Sequence, residues 1–212
     1  MTWDLRFQKE IIHRLGKRFD DLGLPDNGAL IRKISNEIER IIVKYSHLVV
    51  DERTRPHLRL TACMLASYQE LTSGLLDRKQ AWGLVEDVFI SIGRTTLKLY
   101  TQAILMLSKD PFIAITNAGK KRAIEQYGRA WEFRFEETEN SFTMTCTKCF
   151  YNDFFLAAGV QELARILCSW DENWTKPIDP TKHGILFERP TTIGYGGKEC
   201  PFIFTRVEAS TG

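Results

Sequence analysis

The sequence predicts an α+β fold in which an N-terminal helical layer packs on a small antiparallel sheet of about four strands. Through residues 1–127, apolar side chains recur every three or four positions, as in helices that have one buried face. In residues 128–208 this pattern gives way to alternation and to one further helix. The length of 212 residues fits a single domain over 1–212, in which the sheet and its helix carry the motif residues.

Three helical patterns can be delimited in the first half. Residues 28–45 place apolar side chains at helical spacing between charged ones. Residues 56–73 form the second pattern, which has a proline in its first turn, where the missing N–H is tolerated. A third pattern runs from 79 to 107, and Asp110-Pro111 then stops it. The first half is therefore expected to be helical throughout.

A β-hairpin is predicted where the helical period ends. Trp131, Phe133 and Phe135 alternate with charged residues, and a turn follows at 139–141. A second alternating run occupies 142–146. Alternation of this kind is typical of antiparallel strands that bury one face.

One helix and two strands are expected after the hairpin. The helix covers 151–168 and contains Gly159, and the strands cover 185–193 and 201–207. The connection 194–197 is rich in glycine, which supplies the positive φ angles that a tight turn requires.

Charge and hydropathy exclude several classes of partner. The 29 basic and 27 acidic residues give a net charge of +2, and the only dense basic cluster is Lys120-Lys121-Arg122, so no nucleic acid partner is expected. The aliphatic runs fall far short of the ~20 apolar residues that span a bilayer, so no membrane partner is expected either. The N-terminus lacks a secretory signal, and we expect a cytoplasmic protein.

Four of the five cysteines lie in the C-terminal third, at positions 146, 149, 168 and 200. In a reducing compartment they are expected to be thiols. The C-x-x-C spacing of Cys146 and Cys149 leaves a zinc site open, but its second pair would be Cys168 and Cys200, which are 31 residues apart in sequence. Such a site requires a break at Gly159, into helices at 150–158 and 160–168. The alternative is that all four thiols are small buried side chains, and we expect no metal.

Asp171, Arg189 and Cys168 are candidate catalytic or substrate-binding residues. Cys168 and Asp171 are three residues apart, which places them on one helix face. A solvated helix end is the alternative for Asp171, and an exposed strand residue is the alternative for Arg189. The histidines show no metal-binding spacing, and no phosphate-binding glycine motif is present, so no cofactor is expected.

The C-terminal third also carries an ordered set of residues that are individually common. The set comprises Cys149, Gly159, Glu162-Leu163, Cys168, Asp171, Arg189, Thr192, Gly196-Gly197, Cys200 and Phe202. Upstream it continues through Tyr68, Leu71, Ala81, Leu84, Val85, Glu86, Gly128 and Trp131. In order and spacing this set resembles the L-2-amino-thiazoline-4-carboxylic acid hydrolase family, over about three quarters of the chain. The C-terminal part also resembles the vinyl-reductase-like small-molecule-binding domains.

The hydrolase resemblance implies a cofactor-independent hydrolase that opens a carbon-nitrogen bond of a small cyclic amidine, thiazoline-like or related substrate. A biosynthetic pathway is the expected setting. The catalytic candidates are Cys168, Asp171 and Cys149, and the substrate-binding candidates are Arg189, Thr192, Cys200 and Trp170. Two departures from the family pattern are Pro201, which follows the last cysteine where aspartate is common, and the additional Cys146.

Two mechanisms remain open for such a reaction. In the first, Asp171 stabilises the substrate amidinium and orients a water molecule. In the second, the thiolate of Cys168 or Cys149 attacks first and water resolves the adduct. Arg189 is the expected partner of a substrate carboxylate. A non-catalytic ligand-binding module and a cyclase or isomerase are the alternative functions, and a homodimer is a possible assembly.

Overall fold

The computed structural model describes residues 3–24 and 26–208. Six helices make up the N-terminal part. They are α1 (Trp3–Asp21), α2 (Asn27–Lys44), α3 (Thr54–Thr72), α4 (Arg78–Ser91), α5 (Arg94–Leu107) and α6 (Pro111–Gln126). The predictions for 28–45 and 56–73 are confirmed, since α2 and α3 match them within two residues at each end.

The prediction of one uninterrupted pattern over 79–107 is wrong, because α4 and α5 are separate helices. Gly93 lies between them with φ 72°, a left-handed conformation that an α-helix does not contain. Asp110 and Pro111 stop the preceding pattern and also start α6. The Asp110 carboxylate accepts a hydrogen bond from the Ile113 N–H at 3.0 Å, and Pro111 occupies the first turn.

The centre of the helical layer is α3. It packs against α1, α2, α4 and α7 (Phe150–Ala157). Its buried residues lie all round the helix and include polar ones such as Thr61 and Ser67, whose hydroxyls donate to backbone carbonyls one turn earlier. A helix that is buried on all sides is expected at the core of a helical layer.

The sheet has four antiparallel strands in the order β1-β2-β4-β3. They are β1 (Glu132–Glu137), β2 (Ser141–Lys148), β3 (Ile185–Glu188) and β4 (Cys200–Arg206). In the register Phe135 faces Met144, and Cys146 faces Cys200. The predicted α+β class and the predicted hairpin are confirmed.

The prediction that the third strand extends over 185–193 is wrong, because β3 ends at Glu188. Arg189 is held by α8 (Ala164–Trp170), and Pro190 has no N–H to donate to a ladder. The predicted tight turn at 194–197 is a single turn of 3-10 helix over Ile193–Tyr195, which ends at Gly196.

Short helices connect β2 to β3. After α7 come α8, α9 (Glu172–Thr175) and α10 (Pro180–His183). The helical pattern over 151–168 breaks at Gly159, which has φ 73°, and α7 and α8 then contact each other. The break that the sequence pointed to at Gly159 is thus present. Within the described part of the chain, no helix combines the length and the apolar character that crossing a bilayer requires.

Candidate functional site

Cys149 occupies the N-cap position of α7, directly after β2. The side chain of Cys146, whose thiol donates to the Lys148 carbonyl at 3.0 Å, lowers the pKa of Cys149, and the backbone N–H groups of Tyr151 and Asn152 act in the same direction against the effect of burial. Helix N-termini and hydrogen-bond donors stabilise thiolates. For each of the other four cysteines, burial or hydrogen bonding raises the pKa. Cys149 is therefore the most acidic thiol of the five.

Cys168 lies in the last turn of α8, where a 3-10 turn covers it. A Cβ atom on Gly194 would lie 2.7 Å from the Cys168 sulfur, so only glycine allows this approach. Burial raises the pKa of Cys168, while the nearby Thr192 hydroxyl lowers it. Thr192 is buried, and its hydroxyl oxygen has no well-formed hydrogen bond in the described part of the protein. A ligand or a water molecule could satisfy this hydroxyl.

Asp171 and Arg189 form an ion pair beside Cys168. Arg189 Nη1 lies 2.8 Å from Asp171 Oδ2, and the side chains are only 22% and 15% exposed for Asp171 and Arg189. Arg189 Nη2 also donates to the Cys168 carbonyl at 2.6 Å, and Trp174 Nε1 donates to Asp171 Oδ1 at 3.1 Å. The pair ties the segment after β3 to α8. Asp171 is thus neither a solvated helix end nor a free carboxylate.

Cys200 completes the group of thiols. Its sulfur accepts a hydrogen bond from the Ile193 N–H at 3.1 Å, and burial raises its pKa to about 12. Cys149 and Cys168 are both close enough to Cys200 to raise its pKa. The structure thus brings the predicted residues Cys149, Cys168, Asp171, Arg189, Thr192 and Cys200 to one region, around α8 and the 3-10 turn at Ile193–Tyr195.

Trp170 contacts Ile92 and Arg122. Its Nε1 donates to the Ile92 carbonyl at 2.9 Å, and the Arg122 guanidinium lies 5.5 Å from the centre of its ring. Trp170 therefore packs against Arg122 of α6.

Sequence reasoning missed four residues near Cys149, namely His57, Arg122, Tyr127 and Tyr151. The His57 Nε2 lies 3.3 Å from the Gln126 carbonyl, which can only accept, so Nδ1 accepts from the Tyr151 hydroxyl at 2.7 Å. Tyr127 stacks on His57, and both tyrosines are close enough to Cys149 for its charge to raise their pKa. No local spacing connects these four positions, so no sequence motif could have revealed them.

A surface cleft of about 610 Å³ opens beside Tyr127. Its walls include Arg53 at the N-cap of α3, Ile124 of α6, and the aromatic rings of Trp131 and Phe133. The size suits a small molecule. Tyr127 lines the cleft and is also near enough to Cys149 to be influenced by its charge, but none of the residues that line the cleft is a cysteine.

We expect the stability of the protein to fall in acid because of His57. Burial lowers the pKa of His57 from 6.5 to about 4. A neutral His57 therefore contributes stability that is fully present above about pH 6.5 and is lost as the pH falls through about 4. The loss is roughly 3 kcal/mol, since one pKa unit corresponds to about 1.4 kcal/mol.

Urea denaturation over this pH range measures the effect. His57→Gln should flatten the profile, and substitution of the exposed His47 should not. A steep profile retained by His57→Gln would assign the acid sensitivity to other groups.

The close approach of Gly194 to Cys168 gives a second prediction. Gly194→Ala should lower the free energy of unfolding by about 1–3 kcal/mol, because the new methyl group overlaps the sulfur. Adding Cys168→Ala should recover part of the loss, because it removes the sulfur atom that the new methyl group at position 194 overlaps. Thermal unfolding of the two single variants and the double variant measures the coupling, and strictly additive losses would contradict it.

We also expect no stoichiometric zinc. Among residues 3–24 and 26–208, no three His, Cys, Asp or Glu side chains are arranged to hold a metal ion. Elemental analysis of protein purified without a chelator tests the expectation, and close to one zinc per chain would contradict it.

Helices layered on a four-stranded antiparallel sheet define an α+β protein. Its candidate site contains several thiols and the Asp171–Arg189 ion pair. The family model described as L-2-amino-thiazoline-4-carboxylic acid hydrolase matches residues 57–204, and the chain belongs to this family. The match includes every candidate residue named above. The suspected family is thus confirmed.

The chain is similar to the Fe(II) unliganded H-NOX protein from K. algicida, with 15% identity, a TM-score of 0.32, and 95% of this chain and 97% of that chain covered. It is also similar to an H-NOX protein from S. oneidensis in the Fe(II)NO ligation state, with 11% identity, a TM-score of 0.32, and coverages of 94% and 99%. No curated protein matches the chain.

Proposed function

We propose that the protein is a cofactor-independent hydrolase that opens a carbon-nitrogen bond of a small cyclic amidine of the thiazoline type, with Cys149 as the nucleophile. The observation that carries the proposal is the position of Cys149 at the N-cap of α7, beside Cys168 and the Asp171–Arg189 pair, where its surroundings lower the pKa of its thiol. Membership in the hydrolase family supports the reaction class.

The thiolate would attack the amidine carbon of the ring. A bond forms between Cys149 Sγ and this carbon, the ring carbon-nitrogen bond breaks, and the ring nitrogen takes up protons from solvent and leaves as an amine. Water then attacks the same carbon, and Cys149 departs as the thiolate. One water molecule is consumed in total, and the product carries a carbamoyl group on the former ring sulfur.

The remaining candidate residues have supporting roles in this proposal. Asp171 holds Arg189, and Arg189 holds the segment that carries Thr192 against α8. The buried Thr192 hydroxyl, which lacks a well-formed hydrogen bond, would contact the substrate, and so would the Cys200 thiol. Tyr151 donates to His57 in the free protein, and burial raises the pKa of Tyr151, so its hydroxyl would stay protonated and donate a hydrogen bond to the substrate nitrogen.

A non-catalytic ligand-binding module is the second candidate. The observation that favours it is the ion pair itself, because Asp171 and Arg189 neutralise each other and neither is free as a base or as an anion-binding group.

Turnover of 2-aminothiazoline-4-carboxylate in ¹⁸O-labelled water separates the two functions. A hydrolase should release a ring-opened product that carries one labelled oxygen, which mass spectrometry detects. Substitution of the core thiol Cys63 by alanine is the control for the loss of a thiol away from the site. An intact substrate after prolonged incubation with the folded protein would favour the binding module.

A further inference from the structure

The surface cleft of about 610 Å³ lies outside the thiol site. None of the described residues that line it is a cysteine or a member of the Asp171–Arg189 pair. The ring of Trp131 closes the cleft on the side of α7, because it also packs against the rings of Phe150 and Tyr151, with 5.3 Å between ring centres in each case. The proposed hydrolysis therefore leaves this cleft without a function.

Four aromatic side chains line the cleft, and we call them the aromatic wall. They are Tyr127, Trp131, Phe133 and Phe135. The ring centres of Tyr127 and Phe133 are 5.5 Å apart, and those of Phe133 and Phe135 are 6.4 Å apart with nearly parallel planes. Only Trp131 is buried, and Ile124, which also lines the cleft, is 54% exposed. A partly open aromatic surface of this kind suits the flat ring of a ligand.

The two carboxylates of the cleft already have partners. Asp51 accepts hydrogen bonds from the Thr54 N–H at 2.9 Å, from the Thr54 hydroxyl at 2.7 Å and from the Arg129 N–H at 2.6 Å. Glu52 pairs with Arg55 at 2.9 Å. Because both carboxylates are engaged within the protein, the cleft is not built to attract a cation.

The two arginines of the cleft are held in place but keep unused donors. Arg53 Nη1 donates to the Ile124 carbonyl at 2.7 Å, and Arg129 Nη2 donates to the Val50 carbonyl at 2.5 Å. Each of these bonds uses one of the five N–H groups of a guanidinium. Among the described residues no carboxylate forms an ion pair with Arg53, and Asp51 Oδ2 is 3.9 Å from Arg129 Nε, beyond hydrogen-bond distance. The cleft therefore presents two positioned cations beside the aromatic wall.

We propose that this cleft is a second binding site, which takes a small planar aromatic anion: the ring lies on the aromatic wall and the acidic group binds Arg53 and Arg129. A guanidinium binds a carboxylate or a sulfonate with charge-assisted hydrogen bonds, and aromatic rings gain from packing on one another. The site is additional to the proposed hydrolase site and does not depend on it.

Fluorescence titration with two probes tests the proposal. The probes are 8-anilinonaphthalene-1-sulfonate and N-phenyl-1-naphthylamine, which has the same rings without the sulfonate. The double variant of Arg53→Gln and Arg129→Gln should raise the Kd of the sulfonate by about 10-fold or more and leave that of the neutral amine nearly unchanged. Circular dichroism checks the fold, since the sulfonate also binds partly unfolded protein.

Two exposed arginines elsewhere supply the matched control. Arg40 and Arg134 have side chains that are 81% and 56% exposed, and neither lines the cleft. The double variant of Arg40→Gln and Arg134→Gln changes the net charge by the same amount and should keep the wild-type Kd. Equal Kd values for the sulfonate in the two double variants overturn the proposal, and so does wild-type protein that binds the two probes equally.

A second pair of variants tests the position of the site while both arginines remain. Ile124→Glu places a carboxylate in the cleft, where it would bind the arginines in place of the ligand, and should raise the Kd of the sulfonate by about 10-fold. Ile113→Glu is the control, because Ile113 is on the same helix and is 50% exposed but does not line the cleft. Wild-type affinity in folded Ile124→Glu overturns the proposal.

Competition shows whether the cleft is separate from the thiol site. Titration of the sulfonate in the presence of 2-aminothiazoline-4-carboxylate should give the Kd measured in its absence, and Cys149→Ser should bind the sulfonate as the wild type does. Displacement of the sulfonate by the thiazoline would make the cleft a part of the substrate site and overturn the proposal. An absence of turnover would contradict the hydrolase alone.

Discussion

Cys149→Ser is expected to reduce turnover by at least ~1,000-fold and to leave the fold intact. A hydroxyl at this position is not ionised near neutral pH, so the nucleophile is lost. The fold should persist because Cys149 is the N-cap residue of α7, and serine is among the preferred N-cap residues. Steady-state kinetics, with circular dichroism as the check on folding, measure both effects.

Cys168→Ser is the matched control, because it exchanges the same atoms at a thiol whose pKa is raised. The serine hydroxyl would lie near the Thr192 hydroxyl, so we expect a folded variant that loses far less activity. Iodoacetamide should alkylate Cys149 first and Cys63 last, since burial raises the pKa of Cys63 to about 12. A reversed order, with loss of turnover in Cys168→Ser and its retention in Cys149→Ser, would make Cys168 the nucleophile.

Asp171→Asn is expected to lower the free energy of unfolding by about 2–4 kcal/mol, because it leaves Arg189 partly buried beside a neutral amide. This differs from the near-neutral effect expected of a solvated helix end, which was the alternative interpretation of Asp171. Turnover should fall as well, since the segment that carries Thr192 loses its connection to α8. Chemical denaturation and kinetics on the same preparation separate the two losses.

A neighbouring ion pair supplies the control for this prediction. Glu172 and Lys176 are 2.6 Å apart but largely exposed, so Glu172→Gln should change the stability by less than about 1 kcal/mol. The double variant of Asp171→Asn and Arg189→Met should be more stable than the sum of the two single losses predicts. Additivity would show that the pair does not act as a unit.

The sequence predicted the sheet and the position of most helices because these depend on local patterns. Alternation at Phe133 and Phe135 defined β1, and the glycine at 159 ended α7. The break was missed because the flanking residues keep the helical period. The chain leaves the helical conformation only at Ile92, which is extended, and at Gly93, which has φ 72°. The early end of β3 was missed because it depends on a contact between Arg189 and α8.

The candidate site was only partly predictable, because some of its contacts are local in sequence and others arise from tertiary packing. Cys168 and Asp171 are three residues apart on one helical segment, so their proximity is a local property. The proximity of His57 to Tyr151 is a tertiary property, created by the packing of α3 against α7. Arg122 was interpreted as part of a basic cluster, because a sequence does not show which way a side chain points on an amphipathic helix.

The enclosed position of α3 restricts local opening of its backbone. The helix that carries His57 is also the one around which α1, α2, α4 and α7 pack. Segments with this many buried contacts open only with most of the molecule, so their amides exchange with solvent slowly. A substrate is therefore expected to enter by rotation of side chains such as Tyr127 at the cleft, and not by a backbone segment that lifts away on its own.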